Sequence, residues 1–190
     1  MINDYPELIT EVALRSGITD VANRAKMLVG MAENALSKRL RLGGMESVVT
    51  LTTDNTGSVS LPMDYQEIRS IRVNDKVLEQ KPIDVILKAR QTGFSIQGNV
   101  LKSTYVLTPH DLVYYAVLPS LEQNNTSWLL ADEPELYLYA VMFQAYAAVN
   151  DIEKAREIGA YLNELINEAN SADYMQRHAN TRINLGEVVA

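Results

Sequence analysis

Apolar residues recur at three- and four-residue steps at both ends of the chain, and the stretch between them breaks into short strand-like runs. Residues 5–15 form a short periodic stretch that ends near Gly17. Thr19 or Asp20 offers a cap for a second helix reaching about Leu42, along which Val21, Ala25, Leu28, Ala32 and Ala35 make one stripe. Lys38, Arg39 and Arg41 fall in its last turn, where cations complement the negative end of the helix dipole, and Gly43-Gly44 stops it.

From about Ser47 the chain is rich in Val, Thr, Leu and Ile. Residues 48–53 read as a strand, 54–57 as a turn, and 58–61 as a strand able to return along the first. Residues 67–73 form another strand, followed by an Asn74-Asp75 turn and Val77-Leu78. Residues 82–90 suit a short helix. Gly98-Asn99 lies between two strand segments and is a two-residue hairpin signal. The last strand is expected over 112–118.

Helical periodicity resumes after Leu121. Asp132 stands as an N-cap before Glu133-Pro134-Glu135, and the helix that follows, to about Val149, is apolar nearly all round, as a helix buried on several sides should be. A last helix runs from Asn150-Asp151 to about Met175, with Ala155, Ile158, Leu162, Leu165 and Ala169 on one stripe. The order predicts an α+β protein: an α-helical bundle over 1–45 and 121–175, interrupted by a small antiparallel β-domain over 46–120, with a flexible C-terminal tail over 176–190.

Composition narrows the chemistry. The 190 residues carry 17 Lys+Arg against 24 Asp+Glu, a formal net charge of -7. That balance argues against a protein that grips nucleic acid, which needs a clustered positive surplus. No cysteine is present, which excludes disulfides, thiolate metal sites and a cysteine nucleophile. No signal peptide is expected at the start, and the longest apolar run, 137–149, is too short for a bilayer, which needs about 20 residues.

Candidate catalytic groups are sparse. The two histidines, His110 and His178, lie far apart, and His110 is expected in a solvated loop. No zinc, EF-hand, Walker, nucleophile-elbow or dinucleotide motif occurs. Asp132, Glu133 and Glu135 could be an acid–base set, but a helix start accounts for them better. Lys38, Arg39 and Arg41 read as helix-end charges before they read as a phosphate patch. Arg69 and Arg72, three apart on a strand, should point to opposite faces. The ten tyrosines are more unusual: Tyr137, Tyr139 and Tyr146 share one helix and are candidates either for a subunit interface or for core packing.

Four segments together resemble the head-tail adaptor (head completion, or connector) family of tailed bacteriophages. They are Ala32-Glu33 with Leu36, Arg39, Leu40 and Arg41; Leu61-Pro62-Met63-Asp64-Tyr65-Gln66-Glu67-Ile68-Arg69-Ser70; Phe94-Ser95-Ile96-Gln97-Gly98 with Tyr114-Tyr115 and Leu118-Pro119; and Trp128-Leu129-Leu130 with Pro134-Glu135-Leu136-Tyr137-Leu138-Tyr139-Ala140. The last is the most specific. The chain departs from the family in having Pro109 alone after Leu107-Thr108, where a run of prolines is usual.

The resemblance implies a structural virion protein at the head–tail interface, assembled in the host cytoplasm, without catalytic residues, cofactor, metal or membrane contact. It implies a homo-oligomeric ring, commonly of about twelve copies, docked under the portal protein and offering a platform to a tail or nozzle protein. DNA would pass through the lumen without specific binding. At a net charge of -7 per chain such a ring carries on the order of -80 formal charges, so an acidic lumen is expected. In similar adaptors the C-terminal segment reaches into the portal; here Arg182, Ile183, Leu185, Val188 and Val189 are the candidate contacts. The rivals are another head–tail joining component, such as a stopper or tail-completion protein, and an entry-stage peptidoglycan hydrolase. The helix–β–helix order speaks against the first and the lack of an acid–base constellation against the second.

Overall fold

The computed structural model describes residues 2–88 and 91–179. Asp4 starts the first helix, α1 (Tyr5–Ser16), by accepting the Glu7 N–H; Pro6 sits in its first turn, where no amide donor is missed. Gly17 ends it in the left-handed conformation, φ 68°, which a residue without a Cβ adopts at little cost. α2 (Val21–Arg39) buries Val21, Ala25, Leu28 and Ala32 of the expected stripe; Ala35 is only half-buried and Leu36 takes the next core position. It stops three residues short of Leu42, because Leu40 turns extended.

The chain divides into two units, one made of residues 1–44 and 119–190 and the other of residues 45–118. The fold is α+β. In the helical unit, two short helices, α4 (Leu121–Asn124) and α5 (Trp128–Asp132), lead into α6 (Pro134–Ala148) and α7 (Ile152–His178). α6 packs against α1, α2 and α7, which explains why its apolar residues surround it. The Asp151 side chain caps α7 by accepting the Lys154 N–H. Pro134 opens α6 as expected, but the capping position is Glu133, and Asp132 closes α5 instead.

The strands of the other unit are β1 (Glu46–Thr52), β2 (Ser58–Ser60), β3 (Tyr65–Val73), β4 (Lys76–Val77), β5 (Phe94–Gln97), β6 (Val100–Ser103) and β7 (Pro109–Ala116), with a short helix, α3 (Ile83–Leu87), between β4 and β5. They form two antiparallel sheets, ordered β1-β7-β3-β4 and β2-β6-β5. Their shared core holds Leu61, Ile71, Leu101, Leu112 and Phe94, with Val49, Leu51 and Ile96 packed on it. Each fully buried side chain of this kind favours folding by roughly 1.5–3 kcal/mol over leaving it exposed.

Two local hairpins sit where the turn residues ask for them. Asn74 and Asp75 both have positive φ, and Val73 pairs with Lys76; Gly98 has φ 57° and Gln97 pairs with Val100. The return of 58–61 along 48–53 does not occur. β1 pairs with β7, and β2 crosses to the other sheet beside β6. The turn between them is present: the Asp54 carboxylate accepts the N–H groups of Thr56 and Ser58, which also hold it below the usual carboxylate range. At its end Gly57 (φ 76°) accepts the Ser103 N–H, and this contact directs the chain onto β6.

Candidate functional site

Neither histidine sits in a reactive cluster. His110 lies in β7, which begins three residues earlier than expected, and it is wholly buried, not solvated. Its Nδ1 is 2.8 Å from the Thr108 carbonyl, so that nitrogen carries the proton, and Nε2 accepts from the Ser103 hydroxyl at 2.8 Å. Burial lowers its pKa and keeps the ring neutral. Pro109, tolerated as the first residue of a strand, gave this segment the look of a loop. His178, on the last turn of α7, is exposed and stacks on Tyr174.

The acidic set does not cap α6 with a side-chain bond. Asp132, Glu133 and Glu135 are exposed around the α5–α6 junction. The Arg41 guanidinium donates to the carbonyls of Ser37 and Leu40, a helix-end role, whereas Arg39 bonds Asn163 on α7. Arg69 and Arg72 do not point to opposite faces. A β-bulge between Ile68 and Ser70 shifts the alternation, so Ile68, Ile71 and Val73 all meet the core and both arginines are exposed. Arg69 pairs with Glu46, and Arg72 stands opposite Asp111. Among the described residues no cluster of His, Asp or Glu could hold a metal, and no helix is long and apolar enough to cross a membrane.

The three tyrosines of α6 separate by environment. Tyr137 is fully buried; its hydroxyl lies beside Ser127 without a proper hydrogen bond, and burial raises its pKa. Tyr146 is also buried and reaches the Ser16 carbonyl. Both fill the core of the helical unit, the packing alternative of the two weighed. Tyr139 is half-buried and meets the exposed Tyr161 edge-on at 4.6 Å, which leaves it alone of the three with surface to offer a partner. Glu135, Glu164 and Glu168 surround Tyr161 closely enough to raise its pKa, Glu135 foremost.

One acid of α2 is buried. Glu33, within the Ala32-Glu33 motif, is buried, and its carboxylate accepts the Leu121 N–H at 2.7 Å; desolvation raises its pKa. The signal was available: an acid on the apolar side of a helical stripe needs a buried donor.

Several hollows open on the helical unit. One, of about 380 Å³, lies over α2, α6 and α7, with Phe143, Gly159 and Ala160 in its floor and Arg39 and Arg156 at its edge. A second, of about 620 Å³, meets it at Gln144 and contains Met27, Met31 and Arg24. A third, of about 580 Å³, lies between α1 and the start of α6 and is lined by Glu7, Glu11 and Glu135.

The SU10 adaptor protein family matches residues 3–184. The chain belongs to that family. A search of curated proteins finds no significant match. The adaptor family resemblance carried by the four segments therefore holds over nearly the whole chain, and the protein is a structural phage adaptor. The portal-contact candidates Arg182, Ile183, Leu185, Val188 and Val189 lie outside the described residues, whereas α7 continues through Met175 to His178.

Proposed function

We propose that this adaptor is one subunit of a ring, commonly of about twelve copies, that docks under the portal, continues the DNA channel and gives a tail or nozzle protein its platform. The observation that carries the proposal is family membership across residues 3–184. The fold is in keeping with it: a helical unit with broad docking hollows and a separate β unit, both built on packing. The net charge of -7 per copy suits a lumen that repels phosphates, so that DNA slides through instead of adhering. Tyr139, beside Tyr161, is the surviving tyrosine candidate for a subunit interface.

The C-terminal segment with Arg182, Ile183, Leu185, Val188 and Val189 is proposed to contact the portal. A truncation that tests this should begin at residue 180, because Arg177 donates to the Arg41 carbonyl and belongs to the folded unit. The decisive experiment is native mass spectrometry or light scattering of the purified chain with its cognate portal ring. About twelve added copies per portal supports the ring. Full-length chain that leaves the portal mass unchanged overturns it. Loss of docking only on truncation assigns the tail to the portal.

A further inference from the structure

Two surfaces of the helical unit oppose each other in charge and in position. The hollows over α2, α6 and α7 hold Arg24, Arg39 and Arg156, and no acidic side chain lines them, although the chain has 24 acids to 17 bases. Asp20 pairs with Arg24 at the rim, and Arg39 bonds Asn163. Between the arginines the surface is apolar, with Met27 and Met31 each about half exposed, at 49% and 51%. Methionine adapts to the shape of whatever covers it.

The edge formed by α1 and the start of α6 is the complement. Glu7, Glu11 and Leu14 follow at steps of four and three, which puts them on one face of α1. Leu14 is 75% exposed, an apolar knob flanked by acids. Glu135 adds a third carboxylate, while the one arginine there, Arg15, is already paired with Glu11. α6 connects the two surfaces. At roughly 100° per residue, Pro134, Glu135 and Leu138 fall about half a turn round the helix from Ala140, Phe143, Gln144 and Ala147.

Matching patches on opposite sides of one subunit are what a head-to-tail contact needs; a two-fold dimer would need one self-complementary patch. We infer that the acidic α1–α6 edge of one copy seats in the arginine-rimmed groove of the next, with Leu14 over the methionines, and that this contact propagates the ring. The inference rests on the ring reading above and names its interface.

Charge exchange tests it. One variant carries Arg24→Glu and Arg156→Glu in the groove; the other carries Glu7→Lys and Glu135→Lys on the edge. Like charges now meet at every contact, so each variant alone should load onto portal rings at least about tenfold less well than the parent. Mixed in equal amounts they should recover, because each reversed groove meets a reversed edge. A cysteine pair provides a readout independent of charge: the chain has no cysteine of its own. Leu14→Cys with Met27→Cys should give a ladder of cross-linked copies on portal rings under oxidation, and neither single variant should.

Charge variants that load like the parent, or Met27→Cys that cross-links to itself, overturn the interface and leave the ring intact. A parent chain that never assembles, alone or on the portal, overturns the ring and the interface with it.

Discussion

The carboxylate of Glu33 on α2 accepts the backbone N–H of Leu121 at 2.7 Å, a bond between residues 88 positions apart. It joins the two sequence halves of the helical unit at the point where the chain re-enters it from the β unit. Ser120 gives α4 no side-chain cap, so the acid from α2 does that work from outside.

Replacing Glu33 separates the hydrogen bond from the charge. Glu33→Ala leaves a buried N–H without a partner and should cost about 1–3 kcal/mol. Glu33→Gln keeps an acceptor and should cost clearly less. Because burial raises the folded pKa of Glu33, the parent is most stable where the acid is protonated and loses that advantage as pH rises through the folded value. The Gln variant should lack that pH response. Urea unfolding of all three proteins at pH 5 and pH 7 checks both statements; an Ala variant as stable as the parent would sink them.

His110 gives the β unit the opposite response. Its folded pKa is lowered, so its contribution to stability is complete above the ordinary histidine value of about 6.5 and is lost as pH falls through the folded value. A second proton on Nε2 would face the Ser103 hydroxyl, which already accepts the Tyr105 N–H. Amide exchange in β6 and β7 should accelerate between pH 7 and pH 5, and Ser103→Ala should cost about 1–3 kcal/mol at pH 7. Exchange that is flat with pH, once corrected for intrinsic rates, would count against this.

Two glycines with positive φ should differ sharply in their tolerance of alanine. A Cβ at Gly57 would stand 2.3 Å from the Ser103 carbonyl oxygen, on backbone that cannot swing aside. A Cβ at Gly98 meets nothing within 4 Å. Gly98→Ala should cost only the conformational strain, about 1–2 kcal/mol, and Gly57→Ala substantially more. Thermal melts of the two variants give the comparison, and equal losses would refute it.

The polar side of α7 fastens the segment that leaves α2. Asn170 accepts the Arg41 N–H and donates to the Arg39 carbonyl, Asp173 accepts the Gly43 N–H at 2.8 Å, and Arg177 donates to the Arg41 carbonyl. Asp173→Ala should destabilise the helical unit by about 1–2 kcal/mol and raise amide exchange over the last two turns of α7. Unchanged exchange there would show that the last turns are held by packing alone.

The sequence made the local devices legible because their causes are local. Gly17, Pro134, Asn74-Asp75 and Gly98-Asn99 each satisfy a backbone demand within a few residues. What it hid depends on distant partners. Nothing near residues 46–52 says that they pair with 109–115 and not with 58–60. The bulge that turns Arg69 and Arg72 to one side comes from accommodating β7, and the burial of His110 from Ser103 on the other sheet. Of the candidate contact residues, Tyr137 and Tyr146 could not be told from interface tyrosines, because a helix buried on all sides has no polar face to mark its outside. Met27 and Met31 stand off the Val21–Ala25–Leu28–Ala32 stripe, and each is about half exposed.

The fastening of residues 39–43 by residues 163–177 also sets an order of events on the ribosome. The β unit is contiguous and has all its strands by residue 116, so it can fold while synthesis continues. The helical unit cannot close fully until α7 has emerged, since Arg39 and Arg41 wait for partners more than 120 positions later. A chain that stalls before then presents a folded β unit attached to open helices. Under the proposed ring contact, a nascent fragment of that kind would lack the α7 wall of the arginine groove, and with it the surface that seats the next copy.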